Sequence, residues 1–354
     1  MATNLDRLRN IQMSTNSKEG TYDTADTVDS KILVNAGVIP DDSVEVVDDL
    51  DLIGGTEEPG DATLISQSLT FPMAQTRVKP HTLAAIASFA MGSVTTTAAG
   101  GSAATAKRHK IVPSASTTMN SFTLEGLLKS GLQNKYSGCV VDGFNLSFTR
   151  QSNRFCDLTA SILGSGTTTS GTATAAEISE GGLNAATAAV WLDNAAYDGT
   201  PDEALAIGTT DSDIAGNPNA LGANVIGFEW DYQNNIDPGF LYTIGSGDQF
   251  GIEERTSRSQ TVTLTLLWQD ETYRANMIAD DDMCLQLKIR NAEVASESFY
   301  YGINLIFPKL RIASRPRSEQ SGRMIETITF TVLEHATQGS VELNVFNIQE
   351  AYMA

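Results

Sequence analysis

Two stretches of apolar–polar alternation, Val225–Tyr232 and Thr261–Trp268, bracket a loop over residues 234–258, and this arrangement restricts the fold more than any other feature. In the first, Phe228, Trp230 and Tyr232 share a face; in the second, Val262, Leu264, Leu266 and Trp268 do. Period-two alternation builds strands with one buried face and one wet face. A loop of 25 residues carrying Pro238, Gly239, Gly245, Gly247 and Gly251 far exceeds what a hairpin needs. It reads as an assembly arm, with Asp237, Pro238, Phe240, Tyr242 and Phe250 as candidate inter-subunit residues.

The same alternation recurs elsewhere. Phe144, Leu146 and Phe148 alternate with Asn145, Ser147 and Thr149, and after a turn Leu158, Ala160 and Ile162 alternate with Asp157, Thr159 and Ser161. Further strands are expected near Ala62–Leu69, from Lys107, and over 283–289, 298–307, 325–333 and 341–346. Pro80 opens a helix, because its fixed φ suits a first turn, and Gly92 ends it. A second helix follows Asp270, which is placed to cap it, and a short third one anchored by Trp191 is expected over 185–196. The fold class is therefore mainly β, a β-sandwich with flanking short α-helices (α+β).

Charge divides the chain. Net charge is −20, and the first 61 residues hold 14 acids against 4 bases, half of that total. Such acidity disfavours binding nucleic acid through its phosphates. Residues 1–61 are expected to be an acidic extended arm that docks on something else. Residues 62–164 form a first sandwich-and-helix half, 165–221 a linker or insertion rich in Gly, Ser, Thr and Ala, and 222–354 a second half. The stretches Val141–Phe148 and Val225–Tyr232 resemble each other, which fits duplication of one unit; half-buried strands that simply look alike are the other explanation.

Catalytic chemistry finds little support. His81, His109 and His335 are the only imidazoles, and surface or capping roles are expected for them. Gly245–Gly251 lacks the lysine of a phosphate loop, and Asp211–Gly216 lacks the ligands of a calcium loop. Asp280, Asp281 and Asp282 read as a solvated turn. The odd set Cys139, Cys156 and Cys284 has no metal or disulfide spacing and suits buried free thiols. No catalytic, cofactor-binding or metal site is expected, and no cofactor. The start of the chain is polar and no run approaches a membrane span, so a protein made in the cytosol is expected. Lys309, Arg311, Arg315, Arg317 and Arg323 form a basic strip with a single acid, Glu319. It reads either as a receptor for another subunit's acidic arm or as an ordinary solvated loop.

Several of these features together resemble the tail tube proteins of long-tailed bacteriophages. They are the strand and helix through Pro80–Met91, the segment Tyr136–Phe148, the strand Arg258–Trp268 with its following helix, and Ile325–Val332 leading to Val341–Asn344. The resemblance runs over roughly residues 60–350. It implies sandwich units joined edge to edge into rings, hexameric or trimeric with pseudo-sixfold symmetry, stacked into a virion tail tube assembled in the host cytoplasm. It implies tape measure, terminator and distal tail proteins as partners, and passage of double-stranded DNA without specific binding. Lumen-facing candidates are Glu229, Asp231, Thr261, Thr263 and Thr265, where acids would repel phosphate. Another tail ring component (terminator or distal tail protein) and a carbohydrate-binding adhesive sandwich are the alternatives.

Overall fold

The computed structural model describes residues 10–35, 38–48, 62–99, 105–129, 132–149, 155–172, 174–197, 219–221, 224–237, 254–293 and 299–354. Strands dominate. In chain order they are β1 (Asn10–Met13), β2 (Ser30–Ile32), β3 (Asp41–Asp48) and β4 (Ala62–Thr76), followed by helix α1 (Pro80–Met91). Next come β5 (Gly92–Ala98), β6 (Lys107–Pro113), β7 (Phe122–Lys129), β8 (Leu132–Thr149) and β9 (Asp157–Gly164). The middle of the chain supplies β10 (Thr168–Ser170), β11 (Ala176–Glu177), β12 (Ala188–Asp193) and β13 (Asn219–Ala220). Then β14 (Val225–Gln233) and β15 (Ser259–Leu267) lead to helix α2 (Thr272–Ala279). The chain closes with β16 (Met283–Glu293), β17 (Tyr300–Ser314), β18 (Arg317–Gln320), β19 (Arg323–Val332) and β20 (Glu342–Asn347).

These strands make two facing layers. One runs β3–β4–β9–β8–β14–β15–β19, with β18 and the end of β17 continuing along β19. The other runs β5–β6–β20–β17–β16–β12–β13. Trp230 of the first layer meets Phe307 of the second edge-on, with ring centroids 5.5 Å apart. Alternation explains the packing: Phe144, Leu146, Trp230, Val262, Leu264, Ile328 and Phe330 all point into one core. The long strand β8 leaves the first layer and enters a smaller sheet, β10–β8–β7–β1–β2–β11.

Helix α1 is buried at every position, as an all-round apolar helix must be. Pro80 stands at its start, and Gly92, at φ 88°, ends it in the left-handed conformation. α2 is exposed apart from buried Asn276 and half-buried Tyr273, and Asp270 Oδ1 accepts the Thr272 N–H at 2.9 Å just before it.

Three expectations change. No helix forms over 185–196: a single 3₁₀ turn, Ala185–Thr187, passes into strand β12. Val190, Trp191 and Leu192 are consecutively buried and β12 pairs with β16, so sheet packing overrides helix propensity. His81 and His109 are core residues rather than surface groups. Tyr352 links them, because its hydroxyl bonds His81 Nδ1 at 2.8 Å and accepts from Asn347, whose Oδ1 accepts from His109 Nε2. Burial holds His81 down at about 3 and His109 at about 4, so both stay neutral at ordinary pH. Lastly, the N-terminal segment lies in the fold where it is described. Ile11, Met13 and Ile32 join the main core, and Glu19 accepts hydrogen bonds from Ser121, Thr123 and the Gly138 N–H. Residues 1–9 and 49–61 lie outside the described residues.

The two halves of the chain share both layers, since β8 pairs with β14 and β6 with β20. All three cysteines are free and buried.

Candidate functional site

Alternation places the large apolar side chains in the middle of the central strands inward and leaves one polar face on the first layer. Its rows follow from the register. Ser147 of β8 faces Glu229 of β14, which faces Thr263 of β15, which faces Thr329 of β19. One step along, Asn145, Asp231, Thr261 and Thr331 line up in the same way. Thr149, Gly227, Thr265 and Thr327 form a third row. On the far side of β8, β9 extends the first two rows with Asp157 and Thr159.

The structure thus brings Glu229, Asp231, Thr261, Thr263 and Thr265 onto one surface. Short side chains keep it shallow. Asn145 Nδ2 donates across the strands to Glu229 Oε1 at 2.8 Å, and Gln233 Nε2 donates along β14 to Asp231 Oδ1 at 2.8 Å, so both acids are held in place. Gln233 lies over Gly143, where a Cβ would come within 2.8 Å of the Tyr232 carbonyl. Sequence reasoning saw these alternating faces but not their outer neighbours. Arg311 of β17 sits opposite Thr331 and ends the second row with a positive charge. Nothing in the local pattern of β17 announces that neighbour.

The long loop is anchored at both ends. Asn234, fully buried, donates from Nδ2 to the carbonyls of Ala90 and Val141, each at 3.0 Å. The Ile236 N–H donates to Asp142 Oδ1 at 2.8 Å. On the return, Arg255 and Arg258 both donate from Nη2 to the Ser114 carbonyl, at 2.7 and 2.8 Å. Asp237 is exposed at the point of departure; Pro238, Phe240, Tyr242 and Phe250 lie outside the described residues, as do Asp211–Gly216 and Gly245–Gly251.

The basic strip surrounds α2 and its flanking acids. Lys309 Nζ lies 3.2 Å from Asp282, and Arg311 reaches both Asp280 and Asp282 at 2.9 Å. The acidic turn is therefore partly neutralised within the chain. Arg315 is buried against Glu326, and Arg317 bonds Glu271 while stacking over Trp268 at 5.3 Å. Arg317 holds the Glu271 carboxyl below its usual range. Arg323 is exposed on β19. Among the described residues no group of three or more His, Cys, Asp or Glu is placed to hold a metal ion. No described helix is long and apolar enough to cross a membrane.

A family model described as "Phage tail tube protein" matches residues 17–332. The chain belongs to the phage tail tube protein family. Among curated proteins none matches it. Membership makes this a structural component of a phage tail, and its mainly β architecture is consistent with that role. In this tail tube protein the match runs from β2 to β19 and includes both helices, so it takes in the polar face and the loop anchors together.

Proposed function

We propose that this chain is the repeating subunit of the tube wall, and that its polar face lines the lumen through which the double-stranded genome passes. Copies join edge to edge into rings, and the rings stack through the loop over 234–258 and terminal segments. Two units per chain suit a trimer with pseudo-sixfold symmetry; a hexamer is the other closure. Tape measure, terminator and distal tail proteins would meet the tube at its axis and ends. Assembly would occur in the host cytoplasm and the product would reside in the virion.

One observation carries the reading: a continuous polar face crosses five neighbouring strands, β9, β8, β14, β15 and β19, with the whole core on the other side. Hydroxyl and carboxylate groups suit a channel for DNA, because acids repel phosphate and short side chains offer little to grip. Rows of threonine also favour strands, so the same residues serve fold and surface. Negative-stain microscopy of the purified protein tests this. Rings or tubes with a central channel are expected; monodisperse monomers at every concentration would overturn it.

A further inference from the structure

The chain follows the same path twice. Hairpin β3–β4 leads into α1, then by way of β5, β6 and β7 to the long strand β8, whose partner β9 returns beside β4. Hairpin β14–β15 leads into α2, then by way of β16 to the long strand β17 with its continuation β18, whose partner β19 returns beside β15.

Irregularities repeat as well. The β8–β9 ladder shifts register between Val141 and Gly143, and the β17–β19 ladder between Ile312 and Ser314. In β7–β8, Phe122 faces Cys139 and, after a shift, Leu124 faces Tyr136. In β16–β17, Met283 faces Leu310 and, after the same shift, Leu285 faces Phe307. Bulges are built into a fold rather than scattered, so matching pairs argue for one unit used twice. The repeat is then Asp41–Gly164 and Val225–Val332, and the counterpart of β14 is β3 rather than β8.

Within the chain the units meet where β8 pairs antiparallel with β14. The counterparts of those strands are the edge β17–β18 and the strand β3. Both are open among the described residues: β3 pairs only with β4, and β18 only with β19. We infer that the end of β17 with β18 of one copy pairs antiparallel with the start of β3, and with the described residues leading into it, of the next, so that the junction inside the chain is repeated between chains. This rests on the tube reading above and specifies its contact surface. Transferring the register sets Ser43 opposite Ser314 and Asp42 opposite Arg315, as Gln233 lies opposite Gly143 and Tyr232 opposite Phe144.

Surface chemistry agrees. β3 presents exposed Asp41 and Asp42, and the other edge presents exposed Arg317, with exposed Arg323 behind it on β19. Val44 and Val46 on β3 are 56% and 49% exposed, while Met277 and Ile278 on α2 are 38% and 66% exposed. Inside the chain, Asn234 at the end of β14 reaches the last turn of α1 through the Ala90 carbonyl. The counterpart of Asn234 is Val44, which brings that apolar pair to the end of α2. The difference between a fully buried α1 and an exposed α2 is then the cover supplied by the next copy. Because the two edges differ, the contact is head-to-tail, and it makes a ring where the rotation between copies closes.

Disulfide trapping in the full chain tests this. Ser43 and Ser314 are both exposed, and the native cysteines are buried. After oxidation of assembled Ser43→Cys/Ser314→Cys protein, covalent species larger than a dimer are expected on non-reducing gels. Ser43→Cys/Ser318→Cys displaces one thiol by about 13 Å along the strand, beyond the roughly 7 Å Cα limit, and should link about tenfold less. Tubes that form without links, link better through Ser318→Cys, or stop at dimers would overturn this junction and leave the tube reading standing. Absence of rings or tubes from the unmodified protein would overturn the tube reading itself.

Discussion

Leu146 and Trp230 sit opposite each other in the ladder that joins the two units of the chain, both fully buried. Phe144 stacks on Tyr232 on one side of them and Phe148 on Phe228 on the other, with centroids 5.3 and 5.6 Å apart. A junction filled this way is a permanent interface, and it sets the pattern for how another edge of the same fold could be closed.

Trp230 is the largest fully buried side chain and touches Phe144, Tyr232 and Phe307 edge-on. Trp230→Ala is expected to cost about 3–5 kcal/mol, the usual range for emptying an aromatic core site. Chemical denaturation reads it as a lower midpoint with an unchanged slope. An effect no larger than a surface substitution would show that the two layers do not pack through this residue.

Glu229 is exposed and Asp231 half-buried on the polar face. Glu229→Lys/Asp231→Lys is expected to leave assembly intact while making tubes retain double-stranded DNA. Retention should fall steeply as salt rises, because phosphate binding releases counterions. Filter retention of labelled DNA against salt measures this. Unchanged retention would place the face away from the lumen.

Glu180 sits at the start of α1, accepting the His81 N–H, with Oε2 buried and unpartnered. Burial pushes its pKa up from 4.5 to about 7, against opposing pulls from the His81 N–H and Lys79. A raised acid stabilises the fold most below its unfolded value and loses that contribution as pH rises through about 7. His81 and His109 act oppositely: depressed to about 3 and 4, they favour the fold above their ordinary 6.5 and weaken it as pH falls from there. Glu180→Gln should therefore steepen the loss of Tm on acidification between pH 6.5 and 4.5. Calorimetry across that window gives the answer, and a flatter profile would contradict it.

Removing residues 1–35 strips β1 from β7 and β2 from β11, and takes away buried Ile11, Met13, Val28 and Ile32. At about 1.5–3 kcal/mol for each large apolar side chain, the loss of these four is about 6–12 kcal/mol. That is comparable to the whole stability of many domains. The truncated chain should be insoluble or unfold at a much lower temperature, as thermal melting would show. A truncated chain that melts like the full one would mean the segment is only an appendage.

Much of this architecture was legible in advance. Glu229, Asp231, Thr261, Thr263 and Thr265 could be assigned to one face because side-chain direction along a strand is a local property. Pro80 and Gly92 marked the ends of α1 for equally local reasons, a fixed φ and a left-handed stop. Less was legible where distant segments meet. His81 looked like a surface group at a helix start, yet Tyr352 from the far end of the chain buries it. Lys309, Arg311 and Arg317 looked unbalanced in sequence, and acids beside α2 partner them in space. Trp191 suited a helix until β16 supplied a neighbour for a strand.

From sequence alone came the central strands, their wet and dry faces, the acidity and the tube family resemblance, since each depends on residue type at short spacing. Tertiary structure alone decided which strands are neighbours, and so where the repeat begins. Alternation tells which side of a sheet a residue faces but carries no information about the strand beside it. β3 and β14 occupy equivalent places through their hydrogen-bond partners, each pairing with the strand that leads into a helix, which no period in the chain encodes.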